Sequence, residues 1–278
     1  MVGTDFAPYF GEFLGTAILI LLGDGVVANM ILKKTKGNGG GWVVITLGWA
    51  FAVAVPALIF GGNGFTNHFN PALTIALYFT GNTDLTFAGM LGYIVAQMLG
   101  AFCGACLVYF MHQDHFKATA VLESEEEFVR NSKEEEEVAR VMYRAQKAEA
   151  QGTMLGVFST GPAIRNKWVN FMCEVIATFV LLFALTAGFA NSPGVFGNWG
   201  VFILISALGM SLGGTTGYSL NPARDFGPRV AHAVLPIKGK GDSDWGYAWI
   251  PTIGPLVGAI LGAIVSTEMF STFGAISW

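Results

Sequence analysis

The sequence predicts an all-α membrane protein in which six transmembrane helices and two shorter re-entrant half-helices form an inverted repeat. Three observations support this fold class. Hydrophobic residues make up 53% of the 278 residues and charged residues only 12%, whereas a soluble domain has about 25% charged residues. Six apolar stretches approach or exceed the length of about 20 residues that crosses a bilayer. The triplet Asn-Pro-Ala occurs twice, at Asn70–Ala72 and Asn221–Ala223.

The apolar stretches give the order of the elements. Asp5 precedes the first of them, where a signal peptide would have basic residues, so we expect this span to be retained. Two further apolar segments are too short to cross the membrane alone. The spans lie at roughly 9–32, 42–60, 87–110, 168–190, 199–217 and 247–270, and the short segments at about 70–79 and 222–234.

Each Asn-Pro-Ala triplet predicts the start of one of the short helices. A proline suits the first helical turn because no backbone N–H is needed there, and the asparagine before it brings a side-chain amide donor. The free amide end of each helix would then point at whatever precedes it. The residues concerned are Asn70, Pro71, Ala72, Asn221, Pro222 and Ala223.

Matched landmarks indicate that the two halves of the chain follow one plan. The pattern Glu-x-x-x-Thr begins at Glu12 and again at Glu174, and the Asn-Pro-Ala triplets recur in the same order at an offset of roughly 150 to 160 residues. Because each unit crosses the membrane an odd number of times, the second copy would be inverted, an arrangement known in transport proteins. We predict a single domain over 1–278 with repeats at about 8–110 and 168–270.

A pair of glycines spaced four apart also recurs, at Gly100 and Gly104 in the third span and at Gly258 and Gly262 in the sixth. This spacing favours close helix crossings in membranes.

The halves are joined by a charged loop, predicted at 111–167. Its acidic stretch Glu123–Glu149 contains Glu136 and Arg140 at the favourable i,i+4 spacing. We interpret this stretch as a solvated surface helix, with a regulatory or partner-binding role as the alternative.

Composition and motifs exclude several classes of function. A net charge of −4 gives no indication of nucleic-acid binding. Cys103, Cys106 and Cys173 are not spaced as zinc ligands, and the sequence has no metal-binding cluster, phosphate loop or nucleophile elbow. We therefore expect no metal, no cofactor and no catalytic residue, and we predict that the chain is not an enzyme.

Two segments carry a resemblance to a known family. His68–Ala76 and Gly217–Arg229 resemble the signature segments of the aquaporin (major intrinsic protein) family, and the second is similar to its glycerol-facilitator (aquaglyceroporin) branch. Asp225, Tyr109 and Pro251 also fit that branch, whereas Thr252 replaces the bulky aliphatic residue usual there.

The resemblance implies a passive channel for glycerol and related small neutral solutes that also passes water and excludes protons and ions. It further implies a homotetramer embedded in the lipid bilayer of the cell membrane, with both termini in the cytoplasm. Asn70 and Asn221 would be the central donors, and backbone carbonyls would line the pore at Thr66, Asn67, His68, Phe69, Gly217, Tyr218, Ser219 and Leu220.

The same resemblance assigns a selectivity filter and its structural braces. Trp49 and Tyr218 would form an apolar corner, Arg224 would donate hydrogen bonds from the other side, and Gly209 would leave room where water-selective relatives carry a histidine. Glu12, Glu174 and Asp225 would brace the re-entrant segments by accepting hydrogen bonds.

Some alternatives remain open from the sequence. A water-dominant aquaporin is the nearest one, and a secondary transporter that uses Glu12 and Glu174 for ion or proton coupling is another. His68 fits either a pH sensor or a packed imidazole. Asp24 has no assigned role, and we place it toward the aqueous end of the first span.

The basic residues conflict with the orientation that the resemblance implies. All 15 lysines and arginines fall on one side of the six-span layout, which the positive-inside rule would make cytoplasmic. The family places the corresponding loops outside. Long loops count little in that rule, so we retain the family's orientation as the expectation.

Overall fold

The structure is a computed structural model that describes residues 6–188 and 199–273. Within these ranges the chain forms ten helices and no strand. The helices are α1 (Ala7–Ile31), α2 (Gly41–Gly61), α3 (Pro71–Phe79), α4 (Phe87–Thr119), α5 (Glu125–Asn131), α6 (Glu136–Phe158), α7 (Lys167–Thr186), α8 (Gly200–Leu212), α9 (Pro222–Val234) and α10 (Trp245–Phe273).

The long helices occupy the predicted spans. Of the described helices, α1, α2, α4, α7 and α10 are long and apolar enough to cross a membrane. The helix in the fifth predicted span, α8, has 13 residues and is shorter than expected. The last two residues of the predicted span 168–190 lie outside the described residues.

The predicted joint between the two halves is largely helical. Helix α4 continues past residue 110 to Thr119, and α5 and α6 follow in the same segment. The predicted surface helix over Glu123–Glu149 is divided between α5 and the first part of α6, and within it only Ala139 and Tyr143 are buried. Beyond this stretch, the C-terminal part of α6 buries Met154, Val157 and Phe158, and α6 packs on α1, α4 and α9. Apolar residues three or four apart form this buried stripe.

Charged residues cover the outer part of the same segment. Arg140 pairs with Glu136 at 2.8 Å, and Arg140 and Arg144 both contact Glu125. Burial raises the pKa of Glu125, but the hydrogen bonds from the two arginines outweigh it, so the net effect is a lowered pKa. Such exposed pairs contribute little stability.

The packing of the helices repeats between the two halves. Helix α1 packs on α2 and α4, and α7 packs on α8 and α10 in the same way. Each short helix also packs against a long helix of the other half, because α3 contacts α10 and α9 contacts α4. The two short helices are therefore held inside a bundle formed by the long ones and contact each other.

Glycines permit the tightest of these crossings. A Cβ at Gly100 would lie 2.2 Å from the carbonyl oxygen of Phe13, and one at Gly258 would lie 2.2 Å from that of Val175. The neighbouring atom is backbone in both cases, so neither contact is relieved by a side-chain movement. The α1–α4 and α7–α10 crossings thus depend on these glycines in the same manner.

We expect the substitution Gly258→Ala to lower the thermal stability of the purified protein, because overpacking of a tight contact costs about 1–3 kcal/mol. Gly246→Ala is a matched control in the same helix, since a Cβ at Gly246 would meet no atom within 4 Å. Thermal unfolding in detergent measures both variants. Equal melting temperatures for the two would contradict the importance of this crossing.

Candidate functional site

The two short helices begin at Asn-Pro-Ala triplets whose asparagines act as helix caps. Asn70 and Asn221 have extended backbones, and the Oδ1 atom of each accepts a hydrogen bond from a backbone N–H in the first turn, at 2.9 Å in both cases. Proline follows at the first helical position in each helix, where its missing N–H costs nothing. With Oδ1 engaged, the amide Nδ2 of each asparagine points away from its own helix.

The two helix starts are linked to each other through these amides. Asn70 Nδ2 donates to the carbonyl oxygen of Leu220 at 2.9 Å, and Asn221 Nδ2 donates to that of Phe69 at 2.8 Å. An amide carries two N–H groups, so each asparagine has a second one for another acceptor. The carbonyl oxygens of Phe69 and Leu220 each accept one of these hydrogen bonds, and the second lone pair of each oxygen remains for another donor.

The segments before the triplets have an unusual backbone. Phe69, Tyr218 and Leu220 adopt φ values of 49°, 38° and 57°, which non-glycine residues rarely adopt. Gly217, at φ 85°, has no such penalty. Conformations of this kind persist only where surrounding contacts hold them.

Two buried carboxylates provide those contacts. The oxygens of Glu12 accept hydrogen bonds from the backbone N–H groups of His68 and Phe69 at 2.8 and 2.7 Å. Glu174 accepts from those of Ser219 and Leu220 at 3.1 and 3.3 Å. Both side chains are fully buried, and each ties its helix to the backbone of the segment that precedes an Asn-Pro-Ala triplet.

Further polar contacts support the same segments. Gln97 donates to Glu12 at 2.8 Å, and the imidazole of His68 contacts Thr74 at 3.1 Å and packs against Tyr93. Ser219 donates to the carbonyl oxygen of Pro251 at 3.1 Å. That carbonyl is available because the residue four positions on is Pro255, which has no N–H to bond it.

We expect Glu12→Gln to destabilise the fold. A glutamine presents one oxygen and one NH₂ group, so its NH₂ would face a backbone N–H and leave a buried donor unpaired, at a cost of about 1–3 kcal/mol. Thermal unfolding of the purified variant measures this loss. The control variant is Cys103→Ser, because Cys103 is exposed. A change of the neighbouring Gln97 to Glu would add a second carboxylate and is not a suitable control. A melting temperature for E12Q equal to that of C103S would refute the bracing role.

Asp225 forms a third buried cluster at the start of α9. Its Oδ2 accepts hydrogen bonds from the backbone N–H and the hydroxyl of Thr160, both at 2.7 Å. Arg229, one turn later, donates Nε–H to Oδ1 of Asp225 at 2.9 Å and also binds the carbonyl oxygens of Thr160 and Ser243. The cluster ties the start of the α6–α7 connection and the loop before α10 to the half-helix that carries Arg224.

The four residues predicted as a selectivity filter form two contacting pairs. The guanidinium carbon of Arg224 lies over the Trp49 ring, 4.1 Å from its centre. A Cβ at Gly209 would lie 2.9 Å from both Cζ and Oη of Tyr218. The space beside the glycine is thus occupied by the tyrosine ring, and the predicted role of Gly209 in the width of the filter stays a prediction.

A cavity of about 610 Å³ runs past these groups. It follows α2 from Trp49 to Gly61, a distance of about 18 Å along the helix axis. Apolar side chains of α2, α3, α7 and α8 line the cavity, together with polar groups of the two re-entrant segments. Of the predicted site residues, those that line it are Trp49, Asn67, His68, Phe69, Asn70, Tyr218, Ser219, Leu220, Asn221 and Arg224.

Several supporting residues were not predicted from the sequence. Gln97 could have been found, because a single amide side chain within an apolar span indicates a functional or hydrogen-bonding role in membrane helices. No sequence pattern singles out Thr160 or Lys240. In the structure, the ammonium group of Lys240 caps the C-terminal carbonyls of α9 at His232, Ala233 and Leu235. Partial burial lowers the pKa of Lys240.

Asp24, which has no role assigned from the sequence, is fully buried in the C-terminal part of α1. Its Oδ1 lies 3.9 Å from a guanidinium nitrogen of Arg224.

The family model described as Major intrinsic protein matches residues 5–266. The chain belongs to the major intrinsic protein family. Members of this family are passive membrane channels and not enzymes, which confirms both the fold class and the prediction that the chain is not an enzyme. Together with the five long apolar helices, this membership makes the chain an integral, multi-pass membrane protein.

Individual members of the major intrinsic protein family are similar over almost the whole chain. A glycerol uptake facilitator protein of Streptococcus pneumoniae is 45% identical over 257 residues, covering 92% of this chain and 96% of the relative. A probable glycerol uptake facilitator protein of Thermotoga maritima is 44% identical, covering 94% and 99%. The crystal structure of the aquaglyceroporin from Plasmodium falciparum superposes with a TM-score of 0.69 at 28% identity, covering 96% of both chains.

Proposed function

We propose that this chain is a passive channel for glycerol and related small neutral solutes, and that it also passes water and excludes protons and ions. The observation that carries the proposal is the pair of asparagines at the touching tips of α3 and α9. Each has one amide N–H bound to the opposite segment and a second one for a solute in the cavity. The names of the similar facilitator proteins support glycerol as the solute.

The electrostatic potential where the tips of α3 and α9 meet favours a neutral solute. The N-termini of α3 and α9 meet there, and each helix N-terminus carries roughly half a positive charge. Two such ends raise the barrier for cations, and donors from both sides would orient a hydroxyl or a water so that it donates outward in both directions. A chain of water molecules would then be interrupted as a path for protons.

The lining suits a slim polyol. Trp49 and Tyr218 offer aromatic surface to CH groups, and Arg224 and the re-entrant segments offer polar atoms to hydroxyl groups. Guanidinium groups carry donors only, so a hydroxyl that accepts from Arg224 still has its own proton for a backbone carbonyl. Glycerol has a hydroxyl on every carbon and satisfies both sides at once.

A second candidate, a channel dominated by water, is favoured by one observation. Tyr218 fills the space beside Gly209. It therefore narrows the constriction, by which we mean the part of the cavity beside Trp49, Tyr218 and Arg224, relative to one that the glycine would leave open. Stopped-flow light scattering on proteoliposomes separates the two candidates. Glycerol flux well above that of protein-free liposomes is the expected result, and water flux without glycerol flux would replace the first candidate by the second.

The transporter alternative receives no such support. The oxygens of Glu12 and Glu174 are bonded to backbone N–H groups, and a coupling carboxylate would have to release such bonds during each cycle. Uptake of labelled glycerol with and without an imposed proton gradient tests this point. A channel brings the inner concentration only up to the outer one, so gradient-dependent accumulation would overturn the proposal.

The proposal includes the setting in which the channel works. It places the chain in the cell membrane as a homotetramer with both termini in the cytoplasm, as the family resemblance implies. Apolar side chains on the outward faces of the long helices, such as Leu14, Phe51, Val95, Ile176 and Leu261, are exposed in the single chain and are suited to contact with lipid or with neighbouring copies.

A further inference from the structure

Helix α1 carries a buried carboxylate that none of the bracing contacts uses. Asp24 is 0% exposed, as are Glu12, Glu174 and Asp225. Those three carboxylates accept hydrogen bonds from backbone or side-chain donors. Within residues 6–188 and 199–273, in contrast, neither Oδ1 nor Oδ2 of Asp24 has a hydrogen-bond partner.

The charged group that faces Asp24 is the arginine of the constriction. Asp24 Oδ1 lies 3.9 Å from Nη1 of Arg224, and this Nη1 likewise lacks a hydrogen-bond partner among the described residues. The distance is too long for a hydrogen bond but short for opposite charges in a buried setting, where their attraction is much stronger than in water.

Trp49 completes a group of three side chains. Its ring packs so closely on α1 that a Cβ at Gly23 would lie 2.2 Å from it, and the Arg224 guanidinium lies over the same ring at 4.1 Å. Gly23 directly precedes Asp24, so one turn of α1 both seats the tryptophan and presents the carboxylate. The guanidinium is thereby held from two directions, by the ring face and by the charge.

The second carboxylate near Arg224 is already engaged. Asp225 is bonded to Thr160 and to Arg229 at distances of 2.7–3.1 Å. A buried charge is costly unless it is paired, and Asp24 is therefore the carboxylate that remains to balance Arg224.

We propose that Asp24 is a positioning residue of the constriction, which draws the Arg224 guanidinium toward α1 and against Trp49 and so keeps the aperture wide enough for a solute with a carbon backbone. This inference rests on the proposed glycerol channel. When the charge of Asp24 is removed, the guanidinium loses one of its two restraints and moves into the cavity, where water solvates it. The constriction then narrows for glycerol more than for water.

The test is the variant Asp24→Asn, which keeps the size of the side chain and removes its charge. Water and glycerol permeabilities are measured by stopped-flow light scattering on proteoliposomes with equal amounts of folded protein. We expect the glycerol-to-water permeability ratio to fall about tenfold, which corresponds to about 1.36 kcal/mol of barrier height. Ser266→Ala is the control, since Ser266 is also fully buried and its hydroxyl has no partner among the described residues, and its ratio should equal that of the wild type.

The outcomes separate the possible failures. A D24N ratio equal to that of the wild type, or a loss of both permeabilities by one common factor, would overturn the positioning role. A wild-type protein that conducts water and no glycerol would instead overturn the proposed function.

If D24N does not yield folded protein, the double variant Asp24→Asn with Arg224→Gln decides the question. It removes both charges, so the proposal predicts that folding recovers. Continued misfolding of the double variant would contradict the pairing.

Discussion

Replacing Arg229 by methionine is expected to remove most of the folded protein. The guanidinium of Arg229 is 0% exposed and donates to Asp225 and to the carbonyl oxygens of Thr160 and Ser243. Methionine fills a similar volume but leaves the carboxylate of Asp225 buried without its cation. Removal of one partner from a buried ion pair costs about 3–5 kcal/mol, which is a large part of the total stability of a typical protein.

The measurement is the yield and melting temperature of the variant after purification in detergent. Arg165→Met is the matched control, because Arg165 pairs with Asp244 at the surface, where its side chain is 53% exposed, and such a pair is worth about 0–1 kcal/mol. R229M should therefore be far less stable than R165M. Comparable melting temperatures would show that the Asp225–Arg229 cluster does not hold the two loops to α9.

The sequence was sufficient to predict the membrane helices and the two half-helices. Hydropathy alone located α1, α2, α7 and α10 to within a few residues, because lipid leaves few alternatives to a continuous apolar helix. It failed at α4, which continues to Thr119, and at α6, whose buried stripe lies in a charged segment. Both helices pack partly on other helices of the protein, so length and hydropathy do not set their ends.

The site was predictable where a residue acts on its own neighbours and less so where it depends on a distant partner. The capping of α3 and α9 follows from Asn and Pro in adjacent positions. The bonds from Asn70 to Leu220 and from Asn221 to Phe69 join residues about 150 positions apart, and no local pattern reports them. The contact of the Tyr218 ring with Gly209 joins residues only nine positions apart, but the positive φ of 38° at Tyr218 is not indicated by any local pattern either.

Tyr218 connects α8 to the wall of the cavity. Its ring lies against Gly209 and also lines the cavity, and Glu174 holds the backbone of the two residues that follow it. A larger side chain at position 209 would therefore meet the ring first, and we expect the width of the cavity beside Tyr218 to depend on that position.

The variant Gly209→His follows from this arrangement and should abolish most glycerol flux while retaining more of the water flux. Even the Cβ of the new side chain would lie 2.9 Å from the Tyr218 ring and from Thr46 Cγ2, so the ring must move toward the cavity shared with Trp49 and Arg224. We expect at least about a tenfold loss of glycerol permeability, or about 1.36 kcal/mol of added barrier. Stopped-flow light scattering on proteoliposomes measures both solutes.

Two further variants show whether the tyrosine transmits this effect. Gly214→His places the same side chain where a Cβ meets no atom within 4 Å, and its permeabilities should match the wild type. In the G209H background, Tyr218→Ala removes the displaced ring and should restore glycerol flux. If G209H lowers both permeabilities equally in folded protein, or if Y218A restores nothing, then the opening is not set by the contact between Gly209 and Tyr218.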